Sequence, residues 1–135
     1  YLGRDIELGK TDCINIVIDY YLNELKIKSN YDECWPGPKH YIKKNGSSNV
    51  KKVVRSIEKV WSVGRIKKSE TPRKHDIILY KADGIRSEVG LHLGVCIGHG
   101  KIIIQPVDKK SCLIDYEGFL KKKTIMIFRP NSANE

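Results

Sequence analysis

Two side chains of this 135-residue chain are suited to thiol chemistry if the fold brings them together, Cys13 and His92. Cys13 stands at the head of a run in which Ile14, Val17, Ile18, Tyr21, Leu22 and Leu25 recur at helical spacing, and Thr11-Asp12 offers capping oxygens just before it. The spacing predicts a helix that starts at the cysteine. Unpaired amides and the positive end of the helix dipole stabilise a thiolate there, although Asp12 opposes them in part. A base is therefore needed. His92 alternates with Leu93, Val95 and Ile97, so a strand would place His92, Gly94 and Cys96 on one face. A helix start packed against that face brings thiol and imidazole within hydrogen-bond reach, the arrangement a thiol nucleophile requires.

A third polar group would orient the imidazole, and Gln105 is the candidate. Its placement depends on the hairpin around Gly98-His99-Gly100. A two-residue turn pairs Gly94 with Gln105 and puts Gln105 on the His92 face; a three-residue loop puts Ile104 there instead. The run Ile102-Ile103-Ile104 favours the first register, because a buried Gln beside it needs a partner. His99 reads as a turn residue, and Asp76 as a hydrogen-bonding strand start. Cys34, Cys96 and Cys112 read as packing residues. The four cysteines contain no C-x-x-C pair, and the histidines at 40, 75, 92 and 99 stand at no zinc-ligand spacing to them. No structural zinc site or disulfide framework is expected, and at least one free thiol fits synthesis in a reducing compartment.

The elements that must position these groups follow from periodicity and turn residues. After the first helix, residues 29–48 hold Trp35-Pro36-Gly37-Pro38 and Asn45-Gly46-Ser47-Ser48, an inserted loop. Ser48 is placed to cap a second helix with Val50, Val53, Val54, Ile57, Val60 and Trp61 on one stripe, ending at Gly64. A basic linker with Pro72 follows. Then come strands at Ile77–Tyr80, Leu91–Ile97 and Lys101–Val107, a short one at Leu113-Ile114, a helical turn within Tyr116–Lys122, and a closing strand at Thr124–Phe128. Helices first and an antiparallel sheet afterwards make one α+β domain over residues 1–135.

Lys and Arg total 25 against 16 Asp and Glu, a formal charge of +9. The lysines cluster at 43–44, 51–52, 67–68, 109–110 and 121–123. That excess favours anionic polymers. Aromatic residues are not interleaved with the basic pairs and no nucleic-acid motif is present, so no specific nucleic-acid partner is expected. No apolar run reaches the roughly 20 residues of a transmembrane helix. The chain opens Tyr1-Leu2-Gly3-Arg4-Asp5 with neither an initiator Met nor an apolar signal segment, and is read as a processed chain or a piece of a longer one.

Three segments carry a resemblance. Gly9-Lys10-Thr11-Asp12-Cys13 resembles the Gly-Gly-x-Asp-Cys nucleophile segment of the NlpC-type cell-wall peptidases. His92-Leu93-Gly94-Val95-Cys96-Ile97-Gly98-His99-Gly100-Lys101-Ile102-Ile103 is similar to their H-x-G-I-Y-I-G-x-G-x-x-I segment, and Asp76-Ile77-Ile78-Leu79 to their G-D-L-V strand. The order is the unpermuted one, nucleophile before base, and the likeness spans nearly the whole chain. Lys10 replaces the second glycine, His75 the glycine before the aspartate, and Ile6 lies near a common substrate-contacting Tyr. Ile104 occupies the usual third polar position, with Gln105 one place beyond. Tyr1-Leu2-Gly3, Asp19–Leu25 and the inserted loop look most like the tailed-phage members.

The resemblance implies a papain-like fold, N-terminal helices packed on an antiparallel sheet. It implies Cys13 as nucleophile, His92 as base and Gln105 as orienting group in a cysteine peptidase or amidase acting on peptidoglycan stem-peptide amides, without metal or cofactor. It further implies a virion protein of the phage tail, made in the host cytoplasm and acting at the host wall or periplasm, with other tail or tail-tip subunits as partners. The alternative is a catalytically degenerate structural tail-tip component that uses the same fold for assembly; an acyltransferase is disfavoured by the unpermuted order.

Overall fold

The computed structural model describes residues 13–30, 50–67, 69–83, 89–105 and 110–131; the side chains of Cys13 and of 82–83 and 89–90 lie outside that description. The expected capping residues Thr11, Asp12 and Ser48 and the inserted loop fall outside it, apart from the stretch to Asn30.

The first helix, α1, runs Cys13–Leu25. Ile14, Ile16, Val17, Tyr20 and Tyr21 are buried along one stripe, while Leu22, expected on it, is 48% exposed. The second, α2, runs Val50–Trp61 and buries Val53, Val54, Ile57, Val60 and Trp61. It stops before the expected Gly64. Ser62 adopts φ 53°, taking the left-handed position that ends a helix, and the chain reverses directly into a strand. That strand, β1 (Val63–Ile66), contains Gly64 and occupies part of what reads in the sequence as a basic linker.

The remaining strands are β2 (Ile77–Asp83), β3 (Val89–Gly98), β4 (Lys101–Ile104), β5 (Cys112–Asp115) and β6 (Thr124–Pro130). They form one antiparallel sheet in the order β1-β6-β2-β3-β4-β5. β6 runs two residues past the expected end at Phe128 and so includes Arg129. Between β5 and β6 the chain kinks through Tyr116–Leu120 and makes one turn of helix, α3 (Lys121–Lys123).

The sheet has two apolar faces. Ile77, Leu79, Leu91, Leu93, Val95, Ile103 and Phe128 form one core with the stripes of α1 and α2. Ile78, Tyr80, Cys96, Ile102, Ile104 and Ile127 form a second with Tyr116 and Leu120. Both faces of β2 and β3 are therefore covered, which is why Ile77-Ile78-Leu79-Tyr80 reads as a continuous apolar run rather than an alternating one. This is the α+β class read from the sequence.

Candidate functional site

Cys13 is the first residue of α1, and α1 packs across β3, the strand that carries His92. The apolar stripe of α1 meets the Leu91-Leu93-Val95 side of β3. His92 points to the other side, so the expectation that α1 packs against the His92-Gly94-Cys96 face is corrected: strand alternation gives the helix the aliphatic face instead. His92 is 2% exposed and stacks on Tyr80, its cross-strand partner, with ring centroids 5.6 Å apart and planes inclined by 26°. Cys96 lies two pairs along the same face, fully buried, and accepts a hydrogen bond from the Gly98 amide at 3.4 Å. Burial raises the Cys96 thiol pKa and the amide contact only partly offsets that, so Cys96 is a packing thiol. Cys112 is a half-buried free thiol, and Cys34 lies outside the described residues.

The hairpin settles the register in an unexpected way. His99 and Gly100 form a two-residue turn, both at positive φ (55° and 71°), with Gly98 opposite Lys101. Those signs are the type I′ geometry that matches strand twist. A bulge then absorbs one residue between Cys96 and Gly98, so that Cys96 pairs with Ile102 and Val95 with Ile103. Continuing that register sets Ile104, not Gln105, across from Gly94. The expected Gly94–Gln105 pairing is thus corrected by the bulge, although the turn length was read correctly. A Cβ on Gly94 would lie 2.8 Å from Ile102 Cγ2 and 3.1 Å from Ile104 Cγ2. The room above Gly94 is filled by two isoleucines. Gln105 follows the end of β4 and is 1% exposed.

A second polar cluster holds the start of β2. Asp76 is fully buried and accepts from Arg129 Nε at 3.0 Å and Arg129 Nη2 at 2.9 Å, and from the Arg73 amide at 2.8 Å. The amide bond is the strand-start role read in the sequence; the ion pair to β6 is not legible there. Beside it, His75 adopts φ 81°, a conformation natural to glycine. Two α1 hydroxyls hold it: Tyr20 Oη lies 2.9 Å from His75 Nδ1, and Tyr21 donates to the His75 carbonyl at 2.5 Å. Burial, then Asp76 and Tyr20, push the Tyr21 pKa up, so its hydroxyl stays a donor. Burial and Lys74 lower the His75 pKa, against Glu24 and Asp76. Sequence reading missed Tyr80 and this Tyr20–Tyr21–His75–Asp76–Arg129 group. The one available signal was the His standing before Asp76 where the resembled motif has Gly.

The sequence matches no protein-family model and no curated protein. No helix among the described residues is long and apolar enough to cross a membrane.

Proposed function

We propose that this chain is a thiol peptidase or amidase domain of the NlpC type, papain-like in fold, carried on a phage tail and directed at the amide bonds of peptidoglycan stem peptides. Two observations support the reading: Cys13 is the first residue of a helix, and His92 is a buried imidazole on a central strand, stacked on Tyr80 on the face away from the apolar stripe of α1. A helix start is where a cysteine gains thiolate character, and a central strand is a rigid mount for an imidazole.

In this reading the Cys13 thiolate attacks the amide carbonyl carbon and His92 holds the thiol proton. The C–N bond of the tetrahedral adduct then breaks and His92 delivers that proton to the departing amine. Water hydrolyses the thioester and regenerates the thiol. The Cys13 backbone amide donates to the oxyanion. Tyr80, stacked on the imidazole, fixes its plane. Hydrolysis of purified stem-peptide fragments tests the reading: Cys13→Ala should lower the rate by roughly 10³-fold or more. Undiminished hydrolysis by that variant would refute the mechanism.

One observation favours a second reading, a structural tail-tip module without catalysis. Ile104 stands at the position of the third polar residue and is packed, 8% exposed, among Ile78, Tyr80 and Ile102. An apolar residue there cannot orient an imidazole. If Gln105 does not do so either, the fold serves assembly alone.

A further inference from the structure

The kink between β5 and β6 is built to present one side chain. Tyr116 and Leu120, 1% and 0% exposed, anchor it in the second core. The Tyr116 amide donates to the Gly100 carbonyl at 2.8 Å, tying the kink to the β3–β4 turn. The Lys121 amide bonds back to Gly118 O and Tyr116 O, and Thr124 Oγ1 donates to Leu120 O at 2.8 Å. Between these anchors Gly118 adopts φ 100°, ψ −122°, which a side chain would not tolerate. The outcome is Phe119 at 62% exposure, the most exposed large apolar residue among the described residues.

The segment that follows Phe119 is cationic, while Asp115 and Glu117 before it are each paired with a lysine. Lys121, Lys122 and Lys123 follow, all exposed, within about 15 Å of chain from Phe119. Glu117 pairs with Lys121 at 3.3 Å, while Lys122 and Lys123 have no ion-pair partner among the described residues.

We propose that this Phe119 turn is a docking knob for an anionic lipid surface. The exposed aromatic ring enters the boundary between headgroups and acyl chains, and the lysines that follow it in the chain meet lipid phosphates. The whole-chain charge of +9 draws the molecule toward such a surface. An oligonucleotide fits less well, because base stacking uses successive aromatics along a basic groove, whereas this turn exposes one aromatic ring, Phe119. The site is independent of Cys13 and His92.

Flotation of the full chain with phosphatidylcholine vesicles, with and without phosphatidylglycerol, tests it. At low salt the protein should float only with the anionic vesicles. Phe119→Ser should weaken that binding roughly tenfold or more, and Lys122→Glu with Lys123→Glu by at least about tenfold. Both changes are at exposed positions, so an unchanged thermal unfolding midpoint will show that the fold persists. Binding that ignores Phe119→Ser, equal binding to neutral vesicles, or preference for single-stranded DNA over vesicles in competition would each overturn the proposal.

Discussion

At the residue scale, the buried charge at the head of β2 is the most consequential feature that no local pattern announces. Asp76 and Arg129 stand 53 positions apart, and only the β2–β6 pairing brings them together. Arg129→Met would leave Asp76 fully buried without its cation. The cost should be on the order of 3 kcal/mol, measurable by urea unfolding. His75 gives a prediction with a definite sign. Its pKa lies below the ordinary 6.5 in the folded chain, so the unfolded chain binds the proton more readily. Stability from this group is present above pH 6.5 and is lost as pH falls below it. Compared with wild type, His75→Gln should flatten the decline in unfolding free energy between about pH 7 and pH 5; parallel curves would show that His75 does not contribute.

At the element scale, periodicity carried far. Both long helices and five of the six strands were legible, because each buries a stripe or a face large enough to leave a repeat in the sequence. What failed, failed for physical reasons. β1 has four residues, including Gly64 and Arg65, and is a strand because β6 pairs with it, not because of its own composition. The two-residue turn was legible from Gly98-His99-Gly100, but the bulge beside it was not, since nothing in Cys96-Ile97-Gly98 marks which residue is extra. One skipped residue is enough to exchange Gln105 for Ile104 opposite Gly94. The same packing makes Gly94→Ala a sharp test. Its Cβ would meet the Ile103 carbonyl oxygen at 3.0 Å and two isoleucine methyl groups, so β4 must shift. A loss of about 1–3 kcal/mol is expected in chemical denaturation.

At the scale of the whole molecule, the sheet lies between two apolar clusters; α1, which Cys13 opens, packs on one face of β3, and His92 faces the cluster on the other. The sequence pointed to Cys13 and His92 through residue type and order; it could not show that Tyr80 stacks on the imidazole, which depends on β2–β3 register. Removing Trp61, the fully buried last residue of α2 whose ring meets Tyr21 of α1 edge-on at 6.4 Å, should cost about 3–5 kcal/mol in chemical denaturation.

The most direct test of the central claim is the pH dependence of Cys13 alkylation by iodoacetamide, followed by peptide mass spectrometry in wild type and His92→Gln. The account predicts a thiol pKa well below the usual value of about 8.5 in wild type, returning toward it in the variant. Two superimposable profiles centred near that usual value would contradict a thiolate–imidazolium pair and leave the fold as an assembly module.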